Sequence, residues 1–129
     1  MEQIAYTEKG LPFVEITLIY QDQSISRPAL VDSGATLNVL PHDIGFELGL
    51  DWDAQTFPIE MEGVLRRIPA FAVKLTAHIG HFAPFPLHFA WLRRSSATLP
   101  IILGHLNFFQ QFQVTFNTQA GFFELCRLE

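Results

Sequence analysis

The sequence predicts a single all-β domain, and three observations support this prediction. Apolar residues make up 49% and charged residues 16% of the 129 residues, which suits one substantial core and argues against disorder. The apolar residues fall in short runs rich in β-branched and aromatic side chains, with Gly, Pro or polar turns between the runs. No linker or low-complexity tract divides the chain, so residues 1–129 are expected to form one domain.

The first half of the chain predicts three strands and a short helix. The predicted strands are LPFVEITLIY (11–20), ISRPALV (25–31), which follows the polar turn QDQS, and LNVL (37–40). PHDIGFELG (41–49) predicts the helix, because Pro41 suits a first turn and Gly49 suits a helix end.

The second half predicts a similar series, after a hairpin over residues 57–71 with Gly63 near its tip. The predicted elements are strands FAVKLTAHIG (71–80), FPLHFAWL (85–92) and PIILG (100–104), a short helix HLNFFQQF (105–112), and a closing hairpin of QVTFN (113–117) and FFELCR (122–127). Residues 11–49 and 71–112 thus share one order of elements, which indicates an internal pseudo-repeat of secondary structure without a repeat of the amino-acid sequence.

The stretch ALVDSGATLNVLP (29–41) places a polar triplet between two apolar segments. These residue types are also common in ordinary turns, so the triplet alone indicates little. A carboxylate on an apolar-walled loop can act as a general base toward water, which is a role for Asp32. Gly34 lets the backbone approach closely, and the Ser33 hydroxyl could tie one loop to another. The second half of the repeat has only apolar residues and Gly104 at the comparable place.

A single carboxylate is half of an acid–base pair. Two carboxylates a few ångströms apart share one proton, so that one acts as base and the other as acid. The remaining aspartates lack both the apolar flanks and a following Ser/Thr-Gly; they are Asp22, Asp43, Asp51 and Asp53. The economical second carboxylate is Asp32 of an identical subunit across a two-fold axis, so the sequence predicts a homodimer.

Several function classes lose support from the composition. The net charge is −5 and the basic residues are scattered, so no nucleic-acid partner is expected. No apolar run approaches the roughly 20 residues of a membrane span, and no signal-peptide pattern begins the chain, so a cytoplasmic protein is expected. The lone Cys126 excludes an internal disulfide, and His78-x-x-His81 is a poor metal motif, so neither a metal nor another cofactor is expected. The motifs of serine hydrolases, nucleotide enzymes and zinc proteases are missing.

The box ALVDSGATLNVLP, followed about 70 residues later by PIILGHLNFF, resembles the retropepsin family of aspartic proteases, the single-domain homodimeric relatives of pepsin. The resemblance runs from about Leu11 to Leu128. It implies a closed or partly open acid-protease β-barrel with one or two short helices and a flap hairpin that closes on the substrate.

The resemblance also implies roles for particular residues. Asp32 would be catalytic, and Ser33, Gly34 and Ala35 would form the active-site loop and the grip between subunits. Ile102, Leu103 and Gly104 would form a structural second box. The flap residues that would bind substrate are Glu60, Met61, Glu62, Gly63, Val64 and Leu65.

The chain departs from the retroviral pattern at three places. Many retroviral members have Arg after the second-box glycine and an acidic residue just after the Ala, where this chain has His105 and Thr36. The flap has one glycine, Gly63, where viral flaps often have several.

Two hypotheses therefore stand. One is a homodimeric aspartic endopeptidase that hydrolyses extended peptides with a water between two Asp32 carboxylates. The other is a catalytically weak or inactive dimer of this fold that binds peptides or proteins.

Overall fold

A computed structural model describes residues 1–129 and confirms the all-β prediction. The nine strands are β1 (Glu2–Ala5), β2 (Phe13–Tyr20), β3 (Gln23–Val31), β4 (Asn38–Pro41), β5 (Ala70–His78), β6 (Phe85–Leu92), β7 (Ile101–Leu103), β8 (Phe112–Asn117) and β9 (Phe122–Arg127). One α-helix, α1 (His42–Glu47), and two 3-10 turns (Trp52–Ala54 and Gly63–Leu65) complete the chain. None of the helical segments has the length and hydropathy of a membrane span.

Six strands close into a barrel in the order β2-β3-β7-β4-β6-β5. This order is unchanged when β2, β3 and β4 are exchanged with β5, β6 and β7. The strand β2 pairs antiparallel with β3, as β5 does with β6, while β3 runs parallel to β7, as β6 does to β4. The pairing confirms the internal repeat and brings the segment after β3 next to the segment after β7.

The barrel core explains much of the aromatic content. Alternate side chains of β5 and β6 point inward, as period-2 patterning requires. Phe112 packs 4.8 Å from Phe85 and 5.0 Å from Phe108, measured between ring centroids. Such contacts stabilise a core by about 0.5–1.5 kcal/mol per pair beyond apolar burial. Several of the thirteen phenylalanines are therefore buried in the core and do not form an exposed apolar surface.

The chain termini form a second, three-stranded sheet in the order β1-β9-β8. The closing hairpin was expected from the sequence, whereas β1 was not, because its four residues show no clear strand pattern. The strand β9 is paired on both sides, by β1 and by β8. Its backbone groups are therefore used within one chain, and the free edges of the sheet are β1 and β8.

The prediction of a helix over residues 105–112 is wrong, since residues 105–111 form turns with a bridge at Leu106, and Phe112 begins β8. Its backbone is committed elsewhere: Leu106 N–H donates to Thr36 O at 2.8 Å, and Leu106 O accepts from Asn38 N–H at 3.2 Å. Asn107 Oδ1 accepts from His88 N–H at 3.0 Å. At Leu106 and Asn107, bonds to neighbouring segments thus replace the bonds a helix would make, while Phe112 N–H still donates to Phe108 O at 3.1 Å.

The hairpin predicted over residues 57–71 is present only at its base. Pro58 bridges Phe71, and Ile59 N–H donates to Ala70 O at 2.9 Å. Beyond that point the two arms are not paired, and the chain forms a loop with the 3-10 turn Gly63–Leu65. Positive φ angles of 67° at Gly63 and 69° at Arg67 bend the backbone away from a strand path.

Candidate active site

Asp32 lies directly after β3, on a loop that backbone hydrogen bonds hold in place. Its N–H donates to Leu103 O at 2.9 Å, which extends the parallel pairing of β3 with β7 by one residue. The half-buried carboxylate accepts from Gly34 N–H through Oδ1 at 2.8 Å, and Asp32 O accepts from Ala35 N–H at 3.1 Å. The loop thus presents a fixed carboxylate at the edge of the barrel.

The two sequence motifs that carry the resemblance, ALVDSGATLNVLP (29–41) and PIILGHLNFF (100–109), meet at this loop. Gly104 is buried, and a Cβ added to it would lie 2.7 Å from Ala35 O and 2.8 Å from Leu37 O. Both are backbone atoms, so glycine alone fits there without a shift of the loop. His105 N–H also donates to Ala35 O, at 3.0 Å. Ile102 and Leu103 belong to β7, and the second box therefore forms the floor under the loop.

A buried asparagine that the sequence reasoning missed joins the two boxes. Asn38 is the only buried polar residue of the chain; its Oδ1 accepts from Gly104 N–H at 2.8 Å. Its Nδ2 donates to His88 O at 2.9 Å and to Asn107 Oδ1 at 3.2 Å. The signal was visible in the sequence, because a lone asparagine in the apolar run LNVL needs hydrogen-bond partners once it is buried.

By the resemblance, His105 and Thr36 stand at the positions where many retroviral members have an ion pair. His105 bonds instead to the loop itself, with its Nε2 2.7 Å from Ser33 O. Thr36 is exposed, and its side chain makes no hydrogen bond in the chain. The side chain of Ser33 is also exposed and without a hydrogen-bond partner in the chain.

A cavity of about 360 Å³ opens beside Asp32 and Ser33. Its walls are mainly apolar and come from the end of β3, the segment before β2 and the β8–β9 hairpin; the remaining lining residues are Tyr6, Gly10, Leu11, Pro12, Leu30, Val31, Phe116 and Thr118. Leu11 and Phe116 remain 43% and 39% exposed. The carboxylate thus borders an apolar space that is open to solvent.

The six predicted flap residues lie on the loop after Pro58, and none of them lines this cavity in the single chain. Met61 is buried in a small apolar cluster with Val39 and Leu92, which holds the loop against the barrel. Val64 is 95% exposed at the 3-10 turn, beside Gly63, and Leu65 is half-buried. Glu60 and Glu62 both face solvent.

Two of the other aspartates, Asp43 and Asp51, accept hydrogen bonds elsewhere in the chain. Asp43 accepts from both Ser96 N–H, at 2.7 Å, and the Ser96 hydroxyl. Partial burial alone would raise the pKa of Asp43. The hydrogen bonds from Ser96 and the nearby His42 lower the pKa by more than burial raises it, so it lies below its ordinary value. Asp51 caps the Trp52–Ala54 turn. No three His, Cys, Asp or Glu side chains are grouped to hold a metal ion.

Comparison with known proteins agrees with this geometry at the level of the fold. No protein-family model matches the sequence, and no curated protein matches it. Among solved structures, the chain is similar to a retropepsin-like aspartic protease from Rickettsia conorii, with a TM-score of 0.69 and 19% identity. The match covers 96% of this chain and 88% of that chain. The structural similarity confirms the resemblance read from the two boxes: this chain has the retropepsin-like aspartic protease fold.

Proposed function

We propose that this chain is the subunit of a homodimeric aspartic endopeptidase that hydrolyses extended peptides. The observation that carries the proposal is the setting of Asp32, a half-buried carboxylate held by Gly34 N–H and supported from below by Gly104. In the proposed dyad, the ionised carboxylate removes a proton from water, and the water oxygen attacks the scissile carbonyl carbon. The protonated carboxylate donates to the carbonyl oxygen, and the peptide C–N bond breaks as its nitrogen gains a proton.

The second carboxylate of the dyad is assigned to Asp32 of another copy of the chain. Asp43 accepts two hydrogen bonds from Ser96, and Asp51 caps a 3-10 turn, so both carboxylates already have partners within the chain. A residue near a two-fold axis meets its own copy, which supplies the pair without a second motif. Ser33, exposed beside Asp32 with no partner for its hydroxyl in the chain, is suited to a hydrogen bond across that axis.

The apolar cavity beside Asp32 suggests the kind of peptide that is cleaved. A side chain entering it would contact Leu30, Leu11 and Phe116, so we expect apolar residues next to the scissile bond. The loop carrying Val64 is the proposed flap. Its closure over a bound peptide would bury Val64 and exclude water from the reaction.

The main test is cleavage of a fluorogenic peptide with apolar residues at the cut, assayed between about pH 3 and pH 7. The Asp32→Asn variant is expected to lose activity by about a thousandfold or more, because an amide cannot act as the base. The Asp22→Asn variant changes an exposed aspartate in the β2–β3 turn and should retain wild-type activity. Cleavage that survives in the Asp32→Asn variant would show that the dyad assignment is wrong.

Mixed dimers test whether each subunit supplies one carboxylate. With equal amounts of wild-type and Asp32→Asn chains, random pairing leaves about one quarter of the dimers with two intact aspartates. Activity per total dimer should therefore fall to about one quarter of the wild-type value, whereas independent subunits would retain about one half. Sedimentation of the same samples measures the dimer directly, and a strictly monomeric active protein would refute the proposal.

A peptide-binding protein without cleavage is the second candidate, favoured by the unpaired arms of the loop after Pro58 and by His105 in place of the usual Arg. Such a protein would dimerise and bind an extended peptide but leave it intact over the same pH range. Isothermal titration with the peptide, followed by mass spectrometry of that sample, separates binding from cleavage.

A further inference from the structure

The peptide unit between Ser33 and Gly34 is held by hydrogen bonds at both of its polar groups. Its carbonyl oxygen lies 2.7 Å from His105 Nε2, and its N–H donates to Asp32 Oδ1 at 2.8 Å. A trans peptide is planar, with its C=O and N–H pointing in opposite directions, so fixing one group aims the other. We propose that His105 is a positioning residue, which holds the Ser33–Gly34 peptide so that its N–H points at the Asp32 carboxylate. This inference rests on the proposed protease function and adds a residue to its site.

The chemistry of the contact assigns the direction of the hydrogen bond. A carbonyl oxygen only accepts, so His105 Nε2 carries the hydrogen and donates. The same residue is attached to the loop through its backbone, since His105 N–H donates to Ala35 O at 3.0 Å. The ring also packs edge-on against Phe109, with centroids 4.8 Å apart. These contacts bring the ring to the carbonyl in a defined orientation.

The loop needs such a restraint because its other components are permissive. Ser33 and Gly34 are both exposed, and a glycine allows a peptide to rotate at little cost. Rotation of the Ser33–Gly34 peptide would carry the N–H away from Asp32 Oδ1 and leave the carboxylate to reorient. Donation to the carbonyl also polarises the amide, which strengthens its N–H as a donor. His105 thereby acts on Asp32 without touching it.

Three substitutions separate hydrogen-bond donation from ring packing. His105→Phe keeps a ring against Phe109 but has no donor, His105→Gln keeps a donor but no ring, and His105→Ala removes both. We expect kcat to fall about tenfold in the Phe and Ala variants, with KM unchanged, and to remain within about twofold of wild type in the Gln variant. The opposite ranking, with Phe active and Gln impaired, would assign His105 a packing role and overturn the proposal.

A second measurement does not depend on cleavage. Solvent exchange of the Gly34 amide, followed by NMR, should be at least severalfold faster in the Phe and Ala variants than in the wild type and the Gln variant. Equal exchange in all four proteins would refute positioning by His105. If the wild type cleaves no peptide but the exchange rates follow the expected order, the protease proposal fails and the positioning of the loop stands. Thermal unfolding of each variant identifies any general loss of folding.

Discussion

Replacement of Asn38 by Ala should destabilise the protein more than any single surface change. The substitution leaves Gly104 N–H without its partner in a buried site and removes the partly buried hydrogen bond to His88 O, because both groups bond to the Asn38 amide in the wild type. An unsatisfied buried polar group costs about 1–3 kcal/mol and the loss of a partly buried hydrogen bond about 0.5–1.5 kcal/mol, so the two together predict a loss of about 2–4 kcal/mol in the free energy of unfolding. Because the Asn38 amide joins the second box to the segment just after the Asp32 loop, activity should also fall in the protein that remains folded.

Urea unfolding followed by circular dichroism at pH 7 measures this loss. The matched control is Asn117→Ala, which removes one exposed turn contact to Ala120 N–H and should cost no more than about 1 kcal/mol. Asn38→Asp keeps an acceptor for Gly104 N–H but puts a carboxylate opposite His88 O. The introduced carboxyl is tolerated only when protonated, so the deficit of this variant should grow as the pH rises. A loss below about 1 kcal/mol in Asn38→Ala would refute the view that this amide joins the two boxes.

Two further predictions concern the packing and the charge of the fold. Gly104→Ala should cost about 1–3 kcal/mol and reduce cleavage, because its Cβ would press on Ala35 O and Leu37 O; wild-type stability in urea would contradict the close packing. Asp43→Asn should cost about 1–2 kcal/mol at pH 7, because Ser96 donates twice to this carboxylate. Since the pKa of Asp43 is lowered on folding, its contribution is present above about pH 4 and lost as the pH falls further. The difference from wild type in urea midpoints should therefore shrink at pH 3, and a constant difference would contradict this linkage.

Local chemistry made most of the strands predictable. In the strands β2, β3, β5 and β6, side chains point alternately inward and outward, and turn residues separate the strands. A two-residue period of this kind can be recognised in a single sequence. The helix α1 was predictable from its boundary residues, since Pro41 precedes it and Gly49, at a φ of 88°, follows it. The strand β1 was not, because its four residues become a strand only by pairing with β9.

The two errors have a common cause. Residues 105–112 have the composition of a short helix, but the partners of Leu106 and Asn107 lie far away in sequence, at Thr36 and His88. The loop after Pro58 has residues that suit paired arms, yet Met61 is drawn into a cluster with Val39 and Leu92 instead. Long-range contacts decided both segments, and no local pattern reports such contacts.

The sequence by itself determined the all-β class, the internal repeat and Asp32 as the candidate catalytic residue, because a carboxylate between apolar segments is a local anomaly. Tertiary structure decided that Gly104 lies under the Asp32 loop, that Asn38 joins the two boxes, and that His105 bonds to Ser33. These contacts link residues about 70 positions apart. They exist only because β3 and β7 run side by side in the closed barrel, which brings two distant loops within hydrogen-bond distance.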